Sequence, residues 1–235
     1  MKLAAVVLGL VACHAEDYLM YDWDDHRVLC SQSVDDLTVN DFPDRRIDSQ
    51  LERARVHDQV ALLHAHVPGI TITYERIASL LDRIDAAGLD YVTFSELAPG
   101  EPRAGVALCF DDSAIDAWTA IRELLARHAA RVTFFVTRYY DFSEAGRGEL
   151  AALAADGHDI EPHAVNHLNA RDYVAANGID AYITDEVLPS IAVLQADGYP
   201  TTSFAYPFGA SDDAIDTAVL AYVDRVRVSP GSCPF

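Results

Sequence analysis

Short apolar runs alternate with amphipathic segments from Val56 almost to the end of the chain. Runs such as VALCF (106–110) and RVRV (225–228) have the length and β-branched content of strands. Segment 74–87 places isoleucines and leucines at helical spacing, and Gly88 directly after it provides a helix end. Because apolar strands alternating with amphipathic helices are typical of parallel β/α proteins, we predict an α/β fold. The strand count favours a barrel-like arrangement over an open sheet.

The N-terminal residues follow a different pattern. Lys2 precedes an apolar run, residues 3–12, that is too short to span a bilayer as a stable anchor. The run ends in LVAC at Cys13, which resembles the bacterial lipobox, in which the cysteine is acylated. A plain signal peptide cut nearby is the alternative. We predict a lipoprotein signal peptide over residues 1–12 and a lipid on Cys13 that anchors an exported chain in the bacterial cell envelope, facing the periplasm or the cell surface.

Composition narrows the class of protein. Residues 13–55 are polar and acidic with little periodicity, so we predict a tether or irregular segment there, followed by one folded domain over residues 56–235. Hydrophobic residues make up 51% of the chain, which is enough for a globular core. A formal net charge of −20 and the lack of a Lys or Arg cluster exclude nucleic acid as a partner. Nothing in the composition indicates an oligomeric state.

The cysteines allow one disulfide. An exported protein meets an oxidising compartment, where pairing is favoured. Cys109 lies inside an apolar run and is expected to be a small core residue. Cys30 and Cys233 are then the remaining pair in the mature chain, although spacing in sequence does not fix their distance.

Polar residues follow three of the predicted strands. Asp111 and Asp112 come directly after VALCF, His163 and His167 follow HDIEP, and FAYPFG (204–209) closes another run. Taken singly, these are equally typical of a helix N-cap, a pair of solvated histidines and a structural turn. Because β/α barrels build their active sites at the carboxyl ends of strands, we expect the three to meet. One Asp with two His suits a divalent ion such as zinc, and a second carboxylate can act as general base, which predicts a hydrolase.

The order CFDDS, VTFFVT, GHDIEPHAVNH and FAYPFG resembles the polysaccharide deacetylase family, also known as the NodB-homology domain and carbohydrate esterase family 4. The resemblance covers roughly residues 56–228. It implies a deformed (β/α) barrel with fewer than eight repeats. It also implies a hydrolase acting on carbon–nitrogen bonds other than peptide bonds, an acetylated glycan as substrate, and a divalent metal, with Zn²⁺ favoured.

The resemblance also implies roles for single residues. Asp111 would be the catalytic base, and the backbone N–H of Phe208 would hold the tetrahedral oxyanion together with the metal. Tyr206 would line the site and bind substrate. The metal ligands would be Asp112, His163 and His167.

The sequence departs from the family pattern at several places. Ser113 stands where the family has Gly after the Asp pair, and Ala164 replaces a loop-stabilising Ser or Thr. Ala205 replaces the Arg that orients the base. No histidine follows His167, so the late Leu-x-His motif that supplies the general acid is missing. We therefore expect the chain to be truncated before a final β/α portion; in a complete chain, another group protonates the leaving amine or activity is impaired.

His64 and His66 end the first predicted barrel strand, where they either face the site or are ordinary core or surface histidines. Deacetylation of an N- or O-acetylated polysaccharide at the cell envelope is the leading hypothesis. One alternative is a catalytically impaired glycan-binding lipoprotein with the same fold. The other is hydrolysis of a non-carbohydrate amide by the same metal site. The sequence does not name the polymer.

Overall fold

A computed structural model describes residues 17–38 and 43–233. The predicted signal peptide, residues 1–12, and the predicted lipidation site, Cys13, lie outside the described residues. The strands are β1 (Met20–Tyr21), β2 (Val28–Cys30), β3 (Gln32–Ser33), β4 (Val60–Ala65), β5 (Asp90–Tyr91), β6 (Gly105–Asp112), β7 (Thr133–Val136), β8 (Asp159–Pro162), β9 (Ser203–Ala205) and β10 (Arg225–Val228). The α-helices are α1 (Asp44–His57), α2 (Tyr74–Ala87), α3 (Ile115–Ala120), α4 (Arg122–Arg127), α5 (Glu144–Ala155), α6 (Ala170–Asn177), α7 (Ile179–Tyr182), α8 (Leu188–Ala196) and α9 (Asp213–Val219).

The strands form a larger and a smaller sheet. In the larger sheet, β4, β6, β7 and β8 are neighbours in that order and run parallel. The short strands β3 and β5 join it in parallel, and β1 pairs antiparallel with β4. In the smaller sheet, β10 lies between β2 and β9, again in parallel. The parallel α/β architecture predicted from the alternation of strands and helices is confirmed.

The two sheets meet at both sides, which gives an incomplete barrel. At one side β2 continues into β3 through Ser31, whose backbone N–H donates to Val228 in the smaller sheet (3.1 Å). At the other side β8 and β9 lie close together without a described backbone pairing. There the buried Glu161 carboxylate accepts hydrogen bonds from the backbone N–H groups of Thr202 (3.0 Å) and Ser203 (3.1 Å). A side chain thus spans the junction that backbone hydrogen bonds do not close.

Residues 17–38 and 43–55, predicted as a tether or irregular segment, instead contribute β1, β2, β3 and most of α1. Leu19, directly before β1, and Ile47 and Leu51 of α1 are buried in the main core. Strands of two or three residues are too short to show a hydrophobic period. Helix α1 shows only a narrow apolar stripe among charged residues, so its sequence appears polar.

Local sequence signals explain the helices that surround the strands. Helix α2 begins after Thr73, whose hydroxyl accepts from the backbone N–H of Arg76, and it ends at Gly88 with φ 66°. Trp118 of α3 is fully buried, and its ring centroid lies 5.0 Å from that of Phe134, so it is a core residue. Within the described residues, no helix is long and apolar enough to cross a membrane.

A disulfide joins Cys30 at the end of β2 to Cys233, with Cα atoms 5.6 Å apart. This is the pairing expected from the sequence. Cys109 is buried in β6 and is free, as expected for a core residue. Because every residue of β2 also pairs with β10, the disulfide ties the segment after β10 back to the strand beside it.

Candidate active site

Strand β6 carries the adjacent carboxylates to its carboxyl end. Side chains alternate along a strand, so the two groups point in different directions. Asp111 is 1% exposed, whereas Asp112 is partly exposed and has φ 92°. Since Asp112 itself adopts the positive φ, Ser113 in the place of the family's glycine needs no such conformation. One carboxylate is therefore directed into the protein and the other toward solvent.

The loop after β8 brings both histidines to Asp112. The Nε2 atom of His167 lies 3.1 Å from Asp112 Oδ1, and that of His163 lies 3.9 Å from the same oxygen. Potential ligand atoms of these residues all lie within 4.8 Å of one another. The structure therefore brings together Asp112, His163 and His167, as predicted.

The donor set fits a divalent ion such as zinc. His163 Nδ1 makes a 2.8 Å hydrogen bond to the Ala205 carbonyl oxygen, which fixes the ring with Nε2 toward Asp112. Burial lowers the pKa of His163 to about 4, so the ring is neutral at physiological pH, the form that ligates a metal. Burial raises the pKa of Asp112, but the hydrogen bond to His167 and the electrostatic interactions with His163 and His66 together outweigh burial and keep the carboxylate ionised. Two imidazoles and one carboxylate leave further coordination positions free, as catalytic zinc sites do.

Arg227 forms a buried ion pair with Asp111. Both side chains are nearly inaccessible, and the guanidinium also lies over the Phe135 ring, 5.5 Å from its centroid. Burial raises the pKa of Asp111, but Arg227 together with His163, His66 and His64 outweighs burial and holds that pKa well below its usual range. The other carboxylate oxygen, Oδ1, is buried and has no hydrogen-bond partner among the described residues.

The position of Arg227 explains the departure at Ala205. In the parallel pairing of β9 with β10, Arg227 is the register partner of Ala205. The small side chain of Ala205 leaves room for a guanidinium that arrives from the neighbouring strand. Sequence reasoning missed this residue, yet a signal existed: in RVRV an arginine alternates with valines, and a buried arginine requires a partner.

A cavity of about 450 Å³ opens over these groups and has a histidine on its opposite wall. His66, just after β4, makes a 2.5 Å hydrogen bond through Nδ1 to Asp35, and its side chain is 34% exposed. Burial lowers the pKa of His66, but Asp35 and then Asp111 outweigh burial and raise that pKa to about 9. His64 also lines the cavity and is bonded to Ser31 Oγ (2.9 Å), and burial lowers its pKa to about 3. Of the interpretations left open for these histidines, the structure favours a position at the site.

Of the two aromatic side chains predicted at this turn, Phe208 faces the cavity and Tyr206 lies in the core. Phe208 lies in the turn Pro207–Gly209, lines the cavity, is 66% exposed and packs against His167 with ring centroids 4.8 Å apart. Tyr206, predicted to line the site, is instead fully buried and packs on Phe204. Its hydroxyl is directed into the protein because alternate residues of this segment face opposite sides.

Hydrogen bonds from other residues hold the loop that carries the histidines. Ala164 has φ 62° and no hydroxyl, but its carbonyl oxygen accepts from Thr137 Oγ1 (3.0 Å). Asn166 donates to Glu186 through its backbone N–H (2.8 Å) and its side-chain amide (2.6 Å). The hydrogen bond expected to be lost with the family's Ser or Thr is therefore replaced by others.

Known proteins show the same arrangement of elements. The chain is similar to the Streptococcus pyogenes deacetylase PplD solved in complex with acetate, with a TM-score of 0.56 and 20% identity over 69% of this chain and 78% of that one. It is similar to IcaB from Ammonifex degensii, with a TM-score of 0.57 and 18% identity over 72% and 84% of the two chains. The polysaccharide deacetylase BC0361 from Bacillus cereus gives a TM-score of 0.56 and 14% identity over 72% and 57%. No curated protein matches the sequence.

These structural likenesses establish the shared fold, and the sequence establishes the family. The sequence profile described as polysaccharide deacetylase matches residues 99–223, more than half of the 235 residues. The matched segment contains the Asp pair, both histidines and the aromatic turn. The chain therefore belongs to the polysaccharide deacetylase family and is a hydrolase of the deacetylase type.

Proposed function

We propose that the protein is a metal-dependent deacetylase that removes acetyl groups from an N- or O-acetylated polysaccharide at the cell envelope. The observation that carries this proposal is the meeting of Asp111 with Asp112, His163 and His167 at one end of the sheet. A bound divalent ion, with Zn²⁺ favoured, would polarise the acetyl carbonyl and lower the pKa of a water molecule.

Asp111 is suited to the role of general base. The Arg227 ion pair fixes Oδ2 and keeps the carboxylate ionised, while Oδ1 has no hydrogen-bond partner among the described residues. An ionised, oriented acceptor that borders the cavity can take a proton from an attacking water molecule. Since Asp112 is committed to the histidines, the adjacent carboxylates have separate tasks.

His66 is suited to the role of general acid. With a pKa of about 9 the imidazolium is populated at neutral pH, so Nε2 can donate a proton to the leaving amine or hydroxyl. Its other nitrogen is held by Asp35, which orients the ring. The positive charge of a metal at Asp112 would lower this pKa toward neutrality, which makes the proton easier to transfer. A histidine from the β4 end thus supplies the proton donor expected from a late motif.

The remaining contacts concern the acyl group and the glycan. Phe208 lies beside His167, where its backbone N–H would stabilise the oxyanion together with the metal. Its exposed ring offers an apolar face to a sugar. Tyr206 is fully buried next to this turn, so we assign it no contact with substrate. A lipid on Cys13 would hold the enzyme near an envelope glycan.

Two observations weigh against a purely glycan-binding protein. That alternative rested on the missing arginine in the third motif and on the missing general acid. Arg227 contacts Asp111 from β10, and the Asp35–His66 pair faces the same cavity. Among the described residues that line the cavity, none distinguishes a non-carbohydrate amide from a sugar.

The test combines metal analysis with acetate release. The purified chain is assayed on N-acetylglucosamine oligomers and on acetylated xylan, and bound metal is measured in parallel. We expect a stoichiometric divalent ion that is lost in His163→Ala. Asp111→Asn should keep the metal but lose about 10²–10⁴-fold in turnover. A protein that binds no stoichiometric metal would refute the proposal, whereas a loaded but inactive one would support the binding-only alternative.

A further inference from the structure

The loop that carries the histidines contains residues in an unfavourable backbone conformation. Ala164 has φ 62° and His167 has φ 59°, a region that residues with a Cβ rarely adopt. Such conformations persist only where surrounding contacts impose them. Thr137 and Arg138 hold the first half of the loop through the carbonyl oxygens of Ala164 and Val165. The second half, where His167 lies, requires a different support.

That support comes from Glu186. Its side chain is 1% exposed and accepts two hydrogen bonds from Asn166, one from the backbone N–H and one from the side-chain amide. Both carboxylate oxygens are thus used by the residue directly before His167. Among the described residues, no Lys, Arg or His forms a salt bridge with this carboxylate. Burying an ionisable group without a cation costs folding free energy. The presence of Glu186 at this buried position therefore requires an explanation other than packing.

The local backbone aims this side chain at the loop. Glu186 lies in a π-helical turn, Ile183–Val187, inserted between α7 and α8. A π turn adds one residue to a helix and rotates the following side chains, and such turns are frequent at functional sites. Asp185, the preceding residue of the same turn, is exposed and accepts from the Tyr173 hydroxyl (2.6 Å), away from the loop.

We propose that Glu186 is a positioning residue for the metal site and acts through Asn166. By holding the backbone N–H and the side-chain amide of Asn166, it maintains the left-handed conformation of the next residue, His167, whose Nε2 lies 3.1 Å from Asp112 Oδ1. The histidine is then preorganised, and metal binding does not have to order the loop. This role rests on the proposed metal dependence and adds to it a residue that does not touch the metal.

Zn²⁺ affinity of the metal-free full chain, measured by competition with a chromogenic chelator, tests the proposal. Glu186→Ala should weaken binding by about 10–100-fold, the range for lost outer-shell contacts. Glu186→Gln should lose less, because it keeps an acceptor for the Asn166 N–H but places an amide against an amide. The double variant Glu186→Gln/Asn166→Asp reverses the donor and acceptor, so it should restore most of the affinity. Asp185→Asn is the matched control and should bind as the wild type does.

Thermal unfolding of the metal-free variants separates positioning from general stability. A merely structural residue would lower the melting temperature and leave the affinity of the folded protein unchanged. Wild-type affinity in Glu186→Ala would overturn the role of Glu186. A double variant no tighter than Glu186→Ala would overturn the link through Asn166. A wild-type chain that binds no Zn²⁺ would instead overturn the proposed function, and this role with it.

Discussion

Two charged pairs border the cavity and leave their reactive groups in opposite protonation states. On one side Asp111 is the reactive group and Arg227 its partner, which lowers the pKa of the carboxyl. On the other side His66 is the reactive group and Asp35 its partner, which raises the pKa of the imidazole to about 9. The same kind of contact therefore produces a proton acceptor and a proton donor at neutral pH, according to which member faces the cavity.

The pairs also differ in burial, and this difference predicts their energetics. The side chains of Asp111 and Arg227 are 2% and 1% exposed, whereas that of His66 is 34% exposed. Water screens the second pair and scarcely reaches the first. Loss of a partner should therefore destabilise the protein on the Arg227 side and mainly shift a pH profile on the Asp35 side.

Arg227→Ala should have the strongest effect. It leaves the Asp111 carboxylate buried without its cation, at a cost of about 3–5 kcal/mol in unfolding free energy, and the pKa of Asp111 should rise. Turnover should fall by at least about 10²-fold because the base loses its orientation. Chemical denaturation and acetate release measure the two effects.

A second substitution sharpens this prediction. Ala205→Arg in the Arg227→Ala background returns a guanidinium from the paired strand, at the register position beside the original one. We expect partial recovery of both stability and turnover. Arg225→Ala serves as a control: Arg225 lies on the same strand outside the pair with Asp111, so its loss should leave turnover near that of the wild type. A double variant as inactive as Arg227→Ala would show that the base depends on the β10 backbone geometry.

Asp35→Asn should have an intermediate effect. Without the Asp35 carboxylate, only weaker interactions such as those with Asp111 and Asp112 oppose burial, so the pKa of His66 should fall. The alkaline limb of the pH–rate profile, above which the acid is deprotonated, should move to lower pH, with roughly tenfold loss at pH 8. At pH 5 the variant should approach the wild-type rate, because the imidazole is then protonated in both. A limb that stays in place would exclude His66 as the proton donor.

The same pair also affects stability with a defined sign. An unperturbed histidine has a pKa of 6.5, and the pKa of His66 in the folded chain is higher. The pair therefore contributes its full stabilisation of the fold at pH values below 6.5. This stabilisation should be lost as the pH rises through about 9. Asp35→Asn should remove that alkaline loss from a pH series of unfolding free energies.

Glu161→Gln should have the smallest effect on activity. Glu161 is a buried acid without a cationic partner in the described chain, and burial raises its pKa from 4.5 to about 8. The folded state then binds the proton more tightly, so wild-type stability should fall as the pH rises from about 4.5 to about 8. Glutamine carries no charge, so the variant should lack this pH-dependent loss of unfolding free energy, which is roughly 2–5 kcal/mol over the range. Its turnover should stay within a few-fold of that of the wild type. A slope that persists in the variant would assign it to another group.

The three candidate metal ligands could be predicted from the sequence because they lie in two short segments. Asp112 follows a strand directly, and His163 and His167 share one loop, so their proximity needs only the rule that parallel strands end together. The family match rests on these same local segments. The roles of Asp111, Phe208 and the ligands remain predictions that the geometry supports.

The proton-handling groups could not be predicted, because they depend on strand register. Arg227 and Asp111 lie 116 positions apart, and their contact requires the pairing of β9 with β10. Asp35 precedes β4 in a segment without periodicity, and its partner is 31 positions away. Tyr206 was misplaced for a related reason: the side of the sheet that it faces changes with a shift of one residue.

The pairing of β2 with β10 also determines when the base acquires its partner. Cys30 and Cys233 are separated by 203 positions, so β2 is synthesised long before the strand beside which it will lie. Contacts so distant along a chain form late in folding, because loop closure must come first. Arg227 lies on β10, which follows β6 in the chain, so the ion pair with Asp111 can form only after β10 has been made. The base therefore obtains its ionised, oriented form only in a chain whose distant strands have already paired.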